Sequence, residues 1–120
     1  MAVRAILGAT QVEADDRDQV LEATRELVQT VLDRNGLSSE DLISILFTAT
    51  PDLVSEFPAY AARRLGFGDV PLMCATEIGV PHALPRVLRL MAHVETDKPR
   101  ADVQHVYLRG AKALRQDIAQ

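Results

Sequence analysis

Ala2-Val3-Arg4-Ala5-Ile6-Leu7-Gly8-Ala9-Thr10-Gln11-Val12 is an apolar run that stops at an acidic turn, and the residues after it decide the fold. The run predicts a first strand. Asp16, followed three residues later by Gln19, forms a capping-box-like helix start. Leu21, Thr24, Leu27, Val28, Val31 and Leu32 then recur at helical spacing, and Gly36 supplies the stop, so a helix is expected over 17–35. Ile43-Ser44-Ile45-Leu46-Phe47-Thr48 reads as a buried strand ending at the Thr50-Pro51-Asp52 turn. This strand–helix–strand opening permits a right-handed parallel crossover.

Further along, Phe57-Pro58 opens a short helix with proline in its first turn, and Gly66 closes it. Val70-Pro71-Leu72-Met73 is a short strand candidate. The stretch 74–85 carries Gly79, Pro81 and Pro85 and should be mostly loop. A fourth strand is expected over 87–94, a turn at Thr96-Asp97-Lys98-Pro99, and a fifth strand over 103–108. The tail, 109–117, is polar apart from Leu114 and has room for one helical turn. Five short strands with one long and one short helix make an α/β or α+β domain.

The 120 residues suffice for one domain and not for two, so a single domain over 1–120 is expected. The composition, 48% hydrophobic and 25% charged, is that of a soluble globular protein. Thirteen basic against 17 acidic side chains give a formal charge of −4, which argues against nucleic acid or an anionic membrane as the main partner. A small anionic ligand is still compatible, because a few local arginines reverse the sign inside one pocket. The single cysteine, Cys74, permits no intrachain disulfide and fits a reducing compartment. Met1-Ala2-Val3-Arg4 opens no secretory apolar core, and no apolar run approaches the ~18 residues of a membrane span. A cytoplasmic protein is expected.

Few side chains advertise chemistry. Arg89 interrupts an otherwise apolar strand. It is open to two readings: a strand with one wet face or a structurally paired arginine, or an anion-binding arginine in a pocket. Glu77 lies in the loop after a strand, where ligand groups gather, yet taken alone it reads first as a solvated loop carboxylate. Cys74 by itself reads as a small buried hydrophobe, Arg63-Arg64 as surface charge, and Tyr107 as core or interface. His82, His93 and His105 lack metal-ligand spacing, so neither zinc nor any other metal is expected. Phosphate-loop, dinucleotide and serine-elbow motifs are all missing.

These residues nonetheless fall together on one family pattern. The matching stretches are Arg4-Ala5-Ile6-Leu7-Gly8-Ala9-Thr10, Thr48-Ala49-Thr50-Pro51-Asp52-Leu53 and Phe57-Pro58-Ala59. They continue with Pro71-Leu72-Met73-Cys74-Ala75-Thr76-Glu77, Arg86-Val87-Leu88-Arg89, His105-Val106-Tyr107-Leu108 and Ala113-Leu114-Arg115. From Val3 to about Leu114 the chain resembles the AroH-class chorismate mutases. The resemblance implies a five-stranded mixed sheet with one long and one short helix, assembled as a homotrimeric pseudo-barrel with active sites at subunit interfaces. It implies the Claisen rearrangement of chorismate to prephenate, on the route to phenylalanine and tyrosine, with no cofactor, metal or covalent intermediate.

A unimolecular pericyclic reaction needs its substrate held in the compact diaxial conformer and charge stabilised as the ether C–O bond breaks. Positioning and preorganised electrostatics are then the whole mechanism, which suits a chain without an obvious nucleophile. The resemblance places Arg89 beside the breaking ether oxygen and the side-chain carboxylate, with Tyr107 bonding that carboxylate. It sets Glu77 and Cys74 at the ring hydroxyl and adjacent ring face, and Met73 in the wall before the cysteine. Phe57, Ala59 and Arg63 come from the neighbouring subunit, while Leu114 and Arg115 close the mouth.

One position departs from the pattern. Where the family reads Arg-Gly-Ile-Arg-Gly-Ala, this chain reads Arg4-Ala5-Ile6-Leu7-Gly8-Ala9. Leu7 takes the place of the arginine that holds the side-chain carboxylate with Tyr107. Arg4 is no simple substitute, because positions 4 and 7 of a strand face opposite sides. Tyr60 likewise stands where a basic residue is common. The resemblance therefore implies a mutase of lowered efficiency. Its rivals are a homologue reshaped for a related enolpyruvyl diacid and a non-catalytic trimer that binds chorismate-like ligands or a protein.

Overall fold

The computed structural model describes residues 2–114. Strand β1 runs over Ala2–Gln11, helix α1 over Arg17–Arg34, β2 over Leu42–Ala49 and helix α2 over Pro58–Arg64. They are followed by β3 at Leu72–Thr76, β4 at Val87–Thr96 and β5 at Val106–Tyr107. The sheet order is β3-β2-β4-β1-β5. β4 is antiparallel to both β1 and β2, whereas β3 runs parallel to β2 and β5 parallel to β1. A five-stranded mixed sheet with two helices was the expectation, and it is what forms.

The opening strand–helix–strand unit joins two parallel strands that have one strand between them. β1 and β2 do not pair, because β4 lies between them and bonds to both. The adjacent parallel crossover is instead β2–α2–β3. The expected third strand is shifted two residues along: Pro71 has no N–H to give, its carbonyl accepts from Ile45, and pairing continues through Thr76. The fifth strand is shorter than expected. Residues 100–102 form a 3₁₀ turn, and the Gln104 peptide groups bond to the Asn35 side chain rather than to a strand. The tail begins with a 3₁₀ turn at Arg109–Ala113.

Both helices cover one face of the sheet. Leu27, Val28 and Val31 of α1 and Ala59 and Ala62 of α2 pack on Ile6, Ile45, Phe47 and Leu90. The Asp16 carboxylate caps α1 by accepting from the Gln19 amide at 3.1 Å. Gly8 sets how closely α1 lies on β1, since a Cβ there would stand 3.2 Å from Leu27, Val31 and Leu90. At the other end of α1, Asn35 is buried and bonds both peptide groups of Gln104 at 2.8 and 2.9 Å. Asn35→Ala leaves those groups buried without partners, so urea unfolding should register a loss of roughly 2–3 kcal/mol. A neutral result would mean water replaces the amide.

The other face carries no helix. Strand alternation brings Leu7, Met91, Leu46 and Met73 into one register row across β1, β4, β2 and β3. A second row joins Tyr107, Ala9, Arg89, Thr48 and Ala75 across all five strands. Among the described residues no helix is long and apolar enough to cross a membrane.

Candidate active site

Arg89 reaches the open face because β4 alternates, with Leu88 and Leu90 buried on the helix side. The start of β4 is anchored by the Thr50-Pro51-Asp52 turn. The Asp52 carboxylate accepts from the Arg86 amide at 3.0 and 3.2 Å and from the Thr50 hydroxyl, and that hydroxyl's oxygen accepts from the Val87 amide at 3.0 Å. Arg86 is held at φ 54, and its Nε donates to the Val12 carbonyl at 3.0 Å. These bonds make the turn a latch between β2 and β4, three residues ahead of Arg89.

The Arg89 guanidinium turns towards Glu77 at the edge of the cleft. Its Nη1 lies 3.4 Å from Glu77 Oε1, and the two side chains are 36% and 22% exposed. Among the described residues Glu77 is its only hydrogen-bonding or ionic partner. The other Glu77 oxygen, Oε2, accepts from the Thr48 hydroxyl at 2.6 Å, and the Glu77 amide donates to the Ala49 carbonyl at 2.9 Å. Leu7, Leu46, Ile78 and Met91 complete an apolar wall around Thr48, Glu77 and Arg89, in a cleft of about 320 Å³. That volume suits a small molecule.

Tyr107 occupies the same sheet face, two strands from Arg89, or about 10 Å at ordinary strand spacing. It is buried beneath Ala111 and Leu114, and its hydroxyl has no hydrogen-bond partner among the described residues. A buried unpaired phenol is costly unless something completes it. Leu114 packs against Tyr107; Arg115, expected beside it at the pocket mouth, lies outside the described residues.

Cys74 is brought together with a different group. It packs against the main core, and its cleft of about 310 Å³ is shared with Phe57, Leu53 and Val54. Phe57 is 69% exposed there. Ala59 is buried and Arg63 is exposed nearby. Met73 points the other way, onto the open face. Within one protomer the structure thus gathers Leu7, Glu77 and Arg89 on one side of β3, and Cys74, Phe57, Ala59 and Arg63 on the other. The two clefts touch at Thr76.

Burial pushes the Cys74 thiol above its ordinary value, and the weaker opposing pulls of the Ala59 amide and the Arg63 charge do not reverse this. Cys74 is then an S–H donor at neutral pH, not a thiolate nucleophile. The stability gained from keeping it neutral is present at neutral pH and is lost as pH rises through the raised value. Alkylation by iodoacetamide should be slow at neutral pH and accelerate above the ordinary thiol range. Rapid, pH-independent labelling near neutrality would contradict this.

The residues that sequence reasoning passed over are Thr48, Leu46, Ile78 and Met91. Strand alternation carries the signal for Leu46, Thr48 and Met91, since each shares a face with Arg89.

Residues 3–118 match the family described as chorismate mutase type I. The chain belongs to this family. It is 50% identical over 117 residues to chorismate mutase AroH of Thermus thermophilus, covering 97% of this chain and 96% of that one. It is 39% identical over 120 residues to chorismate mutase AroH of Bacillus subtilis, with 99% and 94% covered. A solved chorismate mutase from Clostridium thermocellum superposes with a TM-score of 0.90 at 47% identity, over 91% of this chain and 97% of that one. A type I chorismate mutase fold therefore extends through the chain, with Arg89, Glu77 and Tyr107 on its open sheet face.

Proposed function

We propose that this protein catalyses the Claisen rearrangement of chorismate to prephenate. The observation that carries the reading is Arg89, a guanidinium on a rigid central strand whose only described partner is Glu77, facing a cleft of small-molecule size. As the ether C–O bond breaks, negative charge grows on its oxygen, and a cation already fixed there stabilises it without reorganising. The Tyr107 hydroxyl, on the same sheet face and with no hydrogen-bond partner among the described residues, donates to the side-chain carboxylate. Glu77 accepts from the ring hydroxyl, and the apolar wall excludes water from the compact conformer.

The assembly that completes the site is a homotrimer. Two observations support it: the open face exposes Met73 and Met91 in one apolar row with Leu7 and Leu46, and Phe57 and Cys74 lie on the far side of β3 from Arg89. A second copy can bring its Phe57, Ala59, Arg63 and Cys74 against the Arg89 face of the first, and the tail with Leu114 and Arg115 closes the mouth. Cys74 thereby sides with the residues of the neighbouring subunit.

Leu7 lines the Arg89 cleft and offers no charge to the substrate's side-chain carboxylate. The activity is accordingly that of a weakened mutase, and the same observation favours a second reading, a related enolpyruvyl diacid as substrate. The test is the fall in chorismate's ultraviolet absorbance with prephenate identified as product. Binding of an oxabicyclic diacid mimic without any turnover would replace the mutase reading with that of a binding protein.

A further inference from the structure

Resting on the mutase reading, we propose that Thr48 is a positioning residue that holds the Glu77 carboxylate in the orientation that serves both Arg89 and the substrate's ring hydroxyl. Thr48 ends the row of β2 that faces the cleft and is the register partner of Arg89. Its hydroxyl donates to Glu77 Oε2 at 2.6 Å, which leaves Oε1 as the oxygen turned towards Arg89, 3.4 Å away.

Glu77 needs such a restraint. It follows the last residue of β3, so no ladder extends beyond it on that strand, and its side chain has three rotatable bonds. Besides the long contact with Arg89, two bonds tie it down, and both come from consecutive residues of β2. The Ala49 carbonyl accepts from the Glu77 amide and fixes the backbone, while the Thr48 hydroxyl fixes the carboxylate. A charge-assisted bond to a carboxylate is among the stronger restraints available to a side chain. Without it, Glu77 is free to turn both oxygens on Arg89, forming a closer ion pair that draws the guanidinium away from the ether oxygen. Thr48 thus keeps the Arg89–Glu77 contact long, and Arg89 remains available to the substrate.

The decisive comparison uses full-length wild type, Thr48→Val, Thr48→Ser, Glu77→Ala and the Thr48→Val/Glu77→Ala double variant. Valine keeps the β-branched shape suited to a strand and removes only the hydroxyl. Thr48→Val should stay folded with at most a modest fall in melting temperature and lose roughly 10- to 100-fold in kcat/KM, as expected for a lost hydrogen bond to a charged group. Most of the loss should fall on kcat, because Arg89 and Tyr107 still bind substrate. Thr48→Ser should restore most of the rate, and Thr48→Val should cost nothing more in the Glu77→Ala background, which a merely structural role would not produce. Wild-type activity in Thr48→Val, or full additivity in the double variant, overturns the proposal. Wild type without any prephenate formation overturns the mutase reading instead. In that case crystal structures still decide the role of Thr48: Glu77 should leave its wild-type position in Thr48→Val, and an unmoved carboxylate refutes it.

Discussion

Arg89→Ala should lower kcat by roughly 10²–10³-fold or more, the cost of removing one preorganised group from the point where charge develops. The expectation rests on placement. Arg89 lies on the central strand of the sheet, bonded on both sides by β1 and β2, and its strand start is latched by Asp52 and Thr50. Among the described residues lining its cleft it is the only cation. Alanine also leaves Glu77 alone with Thr48 in an apolar wall, a repulsive neighbour for a dianion. Arg63→Ala is the matched control, since Arg63 is exposed on a short helix. In the proposed trimer Arg63 borders the substrate but not the breaking ether bond, so Arg63→Ala should cost clearly less than Arg89→Ala. Steady-state kinetics on chorismate measure both, and equal losses would contradict the roles assigned to them.

Leu7→Arg is expected to raise activity. Leu7 lies two residues from Ala9, the register partner of Arg89, so the two side chains are diagonal neighbours on the open face. An arginine at position 7 can pair with the substrate's side-chain carboxylate and share it with Tyr107. The gain should reach roughly 10²–10³-fold in kcat/KM if one charge-stabilising donor is all that is missing. Strain should be modest, because Leu7 is only half-buried and its backbone amide is already satisfied by His105 Nδ1 at 2.9 Å. An unchanged or lower rate would mean that the pocket is rebuilt around leucine and favours the altered-substrate reading.

Local chemistry carried most of the fold into the sequence. The 3.6-residue spacing from Leu21 to Leu32, the Asp16 cap and Gly36 delimit α1 to within a residue, because each acts through neighbours a few positions away. What stayed hidden is non-local. That β4 inserts between β1 and β2 depends on pairings about forty to ninety residues apart, and no local pattern encodes them. The start of β5 falls later than local pattern suggests for the same reason, since Asn35 takes the peptide groups of Gln104 from across the molecule.

The site divides along similar lines. Arg89 was legible as a charge in an apolar strand, yet only the register puts Glu77, Thr48 and Leu7 around it. Thr48 drew no notice because a threonine in a strand is unremarkable until its hydroxyl is seen on a carboxylate. The separation of Cys74 from Glu77, three residues apart in sequence, follows from strand alternation combined with the end of β3.

A crystal structure of the protein with the oxabicyclic diacid mimic bound tests the central claim most directly. The expected result is the Arg89 guanidinium within hydrogen-bonding distance of the mimic's ether oxygen, the Tyr107 hydroxyl on a carboxylate, and Phe57 and Cys74 reaching the ligand from a neighbouring copy. A mimic bound away from Arg89, or an Arg89 that keeps to Glu77 while the ligand sits elsewhere, would contradict it.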